Sequence, residues 1–173
     1  MAINEWWRDR PEERYWMIAP SRGIVGEALS APQQADDHRF EWSHELVAHT
    51  RPGDTLFVWD RTLAQPGIAA WGRVLGPLGE ETRVRDGVER AHWRMPVSDT
   101  LRLATPITLS ALRRTGADVV AVRDELERQI DGPIYFPFIG EARTLVPAPA
   151  YLAKVPRDLV SLLSSRFGFD FVL

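Results

Sequence analysis

The stretch RPGDTLFVWDRTLAQPGIAAWGRVLG, residues 51–76, decides the fold. Its opening RPGD is a turn signature. The runs TLFVWD and GIAAWGRVLG read as two paired strands joined by a loop. Side chains of a strand point alternately to its two faces. Phe57 and Trp59 therefore share one face, with Leu56 and Val58 on the other. On the second strand Trp71 lies with Ala69 and Arg73, opposite Ile68, Ala70 and Val74. Each strand thus has an aliphatic face suited to a barrel interior and an opposite face that carries a tryptophan. Those two indoles need cover, from a packed helix or from a flat ligand.

Working outward, INEWWRDR reads as a short helix ended by Pro11, and RYWMIAP as a strand. SRGIVGEALSAPQQADDHR, residues 21–39, is rich in Gly, Pro, Ser and Asp and is expected to be a long loop. FEWSHELVAHT forms a short helix with Trp42, Leu46 and Val47 inward, stopped by RPGD. RAHWRMPV supplies a third strand. TLSALRRTG is a helix capped by Thr108 and closed at Gly116. DVVAVRDELERQI is the clearest helix, with Asp118 as its cap and Val119, Val122, Leu126 and Ile130 on one face. PIYFPFIG, with two prolines, suits an edge or a pocket rim, and PRDLVSLLSSRFG is a last helix ended by Gly168. FDFVL is expected to add a terminal strand. Short strands followed by helices indicate a single α+β domain over residues 1–173, built on a small twisted β-barrel flanked by helices.

The bulk properties set limits on function. The 173 residues suffice for one domain with a sizeable core. A hydrophobic fraction of 45% with seven tryptophans argues against disorder. No apolar run reaches membrane-spanning length, and the charged, aromatic start lacks the apolar core of a signal peptide, so a cytoplasmic protein without a membrane partner is expected. The absence of cysteine excludes disulfides, thiolate metal sites and a Cys nucleophile. A net charge of −3 gives no global positive field toward nucleic acid. Lys154 is the single lysine and the other twenty basic residues are arginine. A coding bias explains that, and so does a use of Arg forks for phosphate and stacking contacts.

No catalytic constellation is present: there is no phosphate-binding glycine loop, no GxGxxG after a strand and no GxSxG elbow. His44 and His49 lie five apart, which does not bring both to one helix face as a zinc pair requires. Neither a metal nor a cofactor is expected. Most carboxylates sit in charged runs. Asp60 differs, since it ends an apolar strand directly after Trp59; it either caps its own turn or faces a cavity. Trp, Arg and Asp together supply stacking surfaces, a phosphate donor and an acceptor. Stacking a base on one aromatic ring is worth about 1–3 kcal/mol, and two such walls offset the few kcal/mol needed to extract a base from a duplex.

The order YWMIAPSR, variable loop, short helix, then RPGDTLFVWD and GIAAWGRVLGP resembles the EVE domain of the PUA-like superfamily, a group related in design to YTH readers of methylated RNA. TPITLSALR matches that family's Pro-Ile step into a helix. GPIYFPFIGEARTLVPAPAYLAKVP and the opening NEWWRDRPEERYWM resemble a bacterial EVE-like subgroup found beside or fused to modification-dependent restriction nucleases. The tryptophan–glycine–valine–arginine–asparagine signature of the better-known branch is absent, with ALSAPQQ in its place.

The resemblance implies a non-catalytic module that flips a modified base, such as 5-methylcytosine or 5-hydroxymethylcytosine, into an aromatic cage, in DNA rather than RNA and in a bacterial defence setting. A separate nuclease or effector would do any cleavage. Ser21, Trp42, Trp59, Asp60 and Trp71 are then expected at the base, and Arg22 and Arg73 at phosphate. The alternatives are a YTH-like reader of modified RNA, an enzyme on a nucleotide or small heterocycle with Asp60 as acid or base, and a partner-binding module whose tryptophans are sealed by helices.

Overall fold

The structure, a computed structural model, describes residues 5–20, 25–34 and 42–169, the side chains of Asp9 and Trp42 excepted. A five-stranded sheet runs β10-β1-β3-β4-β7. Its strands are β1 (Tyr15–Ile18), β3 (Thr55–Asp60), β4 (Gly67–Arg73), β7 (Leu101–Thr108) and β10 (Leu152–Lys154). β1 and β3 are parallel and the remaining neighbours antiparallel. A second sheet, β2-β6-β5, joins Ala28–Pro32 to the hairpin of β5 (Gly79–Arg85) and β6 (Val88–Pro96). A bridge between Val74 and Val97 links the two sheets. The α+β class expected from the sequence is observed, its larger ladders forming two sheets that meet at that bridge.

The remaining elements are α1 (Trp6–Asp9), α2 (Trp42–His49), α3 (Leu109–Arg114), α4 (Gly116–Ile130), α5 (Arg157–Phe167) and the small pair β8 (Phe138–Ile139) and β9 (Val146–Pro147). No helix among the described residues is long and apolar enough to cross a membrane.

Every residue of β3 is buried. The cause is cover on both faces, which turns an alternating strand into a continuous apolar run. Leu56 and Val58 pack with Leu29, Ala31 and Met95 of the second sheet and with Leu46 and Val47 of α2. Phe57 and Trp59 pack with Leu112 and Val119 of α3 and α4, and with Leu159 and Leu163 of α5. The two faces read from the sequence are therefore real on β3. On β4 they are interrupted: a bulge pairs Trp59 with Ile68 instead of Ala69, so Ile68 joins the Trp59 face together with Ile107. The sequence reading had Ile68 on the opposite face.

Local details follow from the chain. Thr108 caps α3 by accepting the N–H of Ala111 at 3.2 Å. Gly116 does not close that helix; it opens α4, packed against the backbone of Ala142. Asp118 accordingly sits in the first turn of α4, not at its cap. Gly168, in the left-handed conformation, ends α5 as expected. Residues 28–32 form β2, not loop: Leu29 and Ala31 alternate into the core. β5 and the start of β6 were also missed, although Asp86-Gly87, both at positive φ, is the standard two-residue hairpin signal. The terminal FDFVL lies outside the described residues apart from Phe169.

Two buried polar groups tie the amino-terminal segment down. Asp54 accepts Trp16 Nε1 at 2.7 Å, Arg14 Nε at 2.6 Å and the N–H of Arg51 at 2.8 Å, joining β1 to the turn before β3. Lys154 donates to the carbonyls of Trp7 at 2.8 Å and Arg10 at 2.6 Å and lies beside the rings of Trp6 and Trp16.

Candidate functional site

Because β1 and β3 are parallel, the chain leaves both at the same end of the sheet. Ala19 and Pro20 follow β1 there, and Arg61 follows β3. Open α/β sheets collect ligands at the carboxyl ends of their strands. At this edge the structure has a cavity of about 680 Å3, within the range of small-molecule sites. One wall is Ile18, Ala19 and Pro20, and a second is Val25, Gly26, Ala28 and Ser30. Pro149, Ala150 and Tyr151 close it from the segment entering β10, and Arg61 and Arg83 stand at its mouth.

A polar network stiffens the wall formed by the second sheet. Ser30 Oγ donates to Glu81 Oε1 at 2.7 Å and lies 3.3 Å from His92 Nδ1. Glu81 also accepts Arg83 Nε at 2.6 Å and faces Arg94 at 3.6 Å. The Ser30 hydrogen bond, then Arg83, holds the Glu81 carboxyl below its ordinary range, while burial, followed by Arg83, lowers the His92 imidazole. The network is a carboxylate among donors beside an uncharged ring. Arg83 is paired within it. Arg61 is exposed and has no hydrogen bond or ion pair among the described residues.

The residues expected at the base fall into three groups. Ser21 and Arg22 lie outside the described residues, as does the Trp42 side chain; the lining residues Pro20 and Val25 flank residues 21–24. Trp59 does not line the cavity. It is 1% exposed, edge-on to Phe138 with centroids 5.8 Å apart, sealed under α3, α4 and α5. Asp60 is equally committed, its Oδ1 accepting the N–H of Thr62 at 2.8 Å and its hydroxyl at 2.7 Å. That hydroxyl contact, ahead of the other causes, lowers the Asp60 carboxyl, so it stays ionised and caps its turn.

Trp71 and Arg73 form the third group, together but elsewhere. The guanidinium of Arg73 sits 5.5 Å from the Trp71 ring centroid. Arg73 also donates to Gly53 O at 3.2 Å and Thr55 Oγ1 at 2.8 Å, stapling β4 to the turn before β3. Neither residue lines the cavity. The exposure expected of Trp59 is therefore corrected: helices and a β-bulge take it into the core, and Tyr151 is the one aromatic ring among the described lining residues. Arg61, Ser30 and Tyr151 were missed. Arg61 was detectable as the first exposed residue after an all-buried strand, and Ser30 from the Leu29/Ala31 alternation around it. Tyr151 had no local signal, since its place depends on β10 pairing with β1.

The architecture and the cavity define an α+β domain with a ligand-sized pocket at a parallel strand pair. No protein-family model and no curated protein matches the chain. Its fold is shared with a crystal structure of a Pseudomonas putida protein, 11% identical, at a TM-score of 0.53 over 88% of this chain and 98% of that one. Other solved structures align more loosely. A Rhodopseudomonas palustris protein is 12% identical, at a TM-score of 0.49 over 90% of this chain and 93% of that one. Human THYN1, solved in complex with DNA containing 5-methylcytosine, is 9% identical, at 0.48 over 87% and 95%.

Proposed function

We propose that the chain is an EVE-type, PUA-like domain that takes a modified nucleobase of DNA, such as 5-methylcytosine or 5-hydroxymethylcytosine, into the cavity at the ends of β1 and β3. The observation that carries this reading is the composition of that cavity among the described residues: aliphatic residues of two walls beside Ser30, the ring of Tyr151, and Arg61, an exposed arginine with no partner among the described residues. A flat, nearly uncharged heterocycle suits the interior, and the phosphate of the strand it belongs to suits Arg61. The resemblance read from the sequence points to the same place, because Ser21 and Arg22 continue the chain directly from Pro20. A base reaches such a pocket only by leaving its stack, so base flipping belongs to the proposal.

Recognition without chemistry is favoured by the state of the polar groups. Ser30 directs its proton to Glu81 and not to His92, which is the reverse of what a nucleophilic serine requires. Asp60 is an ionised turn cap rather than a poised acid. A role beside a separate nuclease in bacterial defence follows from the resemblance alone.

The test is equilibrium binding of duplexes that differ only in carrying cytosine, 5-methylcytosine or 5-hydroxymethylcytosine, with modified single-stranded RNA in parallel, at two salt concentrations. Preference for one modified duplex supports the reading. Preference for the RNA transfers it to an RNA reader, and undetectable binding to all of them discards it.

A further inference from the structure

We propose that Tyr151 reads the edge of the ring held in the cavity, its phenol donating a hydrogen bond to the ring carbonyl of a pyrimidine. The inference rests on the cavity being the base site. Tyr151 lines the cavity, and its oxygen accepts the backbone N–H of Ser30 at 2.9 Å. A phenol has two in-plane positions at its oxygen besides the ring bond. The Ser30 N–H occupies one as donor, which leaves the other for the hydroxyl's own proton. That proton meets no acceptor among the described residues. Burial raises the Tyr151 pKa, so the group remains a donor across the neutral range.

The ring is also held in place. His44 of α2 meets it edge-on, with centroids 6.2 Å apart and planes at 74°. The Ser30 strand is fixed in turn by the Ser30–Glu81 bond and by pairing with β6. A donor on a braced ring, with no acceptor among the described residues, in a pocket where aliphatic residues alternate with Ser30, Arg61 and Arg83, fits a ligand that brings one acceptor on a flat ring. The ligand class is a pyrimidine base presenting its acceptor edge inward.

The experiment compares two ligands and two variants by fluorescence anisotropy, using the full chain. A duplex carrying 5-methylcytosine is measured against one whose base is a methylated 2-aminopyridine C-nucleoside, which keeps ring and amine and lacks the carbonyl. Wild type is expected to bind the analogue about tenfold more weakly. Tyr151→Phe should lose a similar factor for 5-methylcytosine and discriminate between the two duplexes no longer, while Ser30→Ala, which keeps the backbone donor, should still discriminate. The ligand comparison stands on wild type alone should Tyr151→Phe fail to fold. Equal affinity of wild type for both duplexes overturns the role of Tyr151 and leaves base binding in place. Absence of binding by wild type overturns both.

Discussion

The indole of Trp59 and the ring of Phe138 meet edge to face, their centroids 5.8 Å apart and their planes at 66°. Both are almost completely buried, so this pair cements the five-stranded sheet to the helical layer over it. Trp59→Ala is expected to cost about 3–5 kcal/mol of stability, the range for emptying a large aromatic site. Trp59→Phe should lose less and leave nucleic-acid binding as it is. Chemical denaturation of each variant, followed by binding measurements on the folded ones, checks both statements.

Arg61 behaves oppositely. It is exposed at the cavity mouth, so Arg61→Ala should leave the denaturation midpoint within error. Affinity for oligonucleotides should fall about tenfold, and the slope of log K against log salt should drop by about one charge. Arg73→Ala should instead destabilise the protein, because Arg73 joins β4 to Gly53 and Thr55 and packs on Trp71. Unchanged salt dependence in Arg61→Ala would remove Arg61 from the phosphate contact.

Lys154 makes stability depend on pH in the alkaline range. Burial, the largest cause, lowers its pKa from 10.5 to about 8. Between those values the folded state binds fewer protons than the unfolded chain, so stability rises with pH across that window. The cost of burying the charge is fully present below the folded value. The gain amounts to about 3 kcal/mol at most, at about 1.4 kcal/mol per pH unit. Lys154→Met should flatten the curve between about pH 8 and pH 10, while losing the contacts to the carbonyls of Trp7 and Arg10. Denaturation midpoints of both proteins as a function of pH decide it.

Gly67 begins β4 opposite Thr108 of β7. An added Cβ would collide with the backbone of Ile107 and Thr108, which cannot swing aside as a side chain can. Gly67→Ala should therefore lower the melting temperature by several degrees, in line with a loss of about 1–3 kcal/mol. A melting temperature equal to wild type would show that β4 and β7 separate more readily than their pairing implies.

The sequence revealed β3 and β4, the helices α2 to α5 and the two faces of β3, because long apolar periodicity survives whatever packs against it. It misplaced the exposure of Trp59, since a face with a bulky ring looks the same whether a helix or a ligand covers it. The bulge at Ile68–Ala70 was invisible for a related reason: nothing in GIAAWG distinguishes a regular strand from one with an extra residue. β2, β5 and β10 were hidden because each is short, polar or proline-flanked and owes its conformation to partners distant in the chain. Much of the cavity comes from those segments, so Arg83 and Tyr151 in particular were inaccessible to a local reading.

The central claim is that a base enters at the carboxyl ends of β1 and β3 and not against Trp71. A structure of the protein with a duplex bearing one 5-methylcytosine tests it most directly. The predicted result is an extruded base between Ile18–Pro20 and Tyr151, with a neighbouring phosphate at Arg61. A base stacked on Trp71, or a duplex bound with every base still paired, would contradict it.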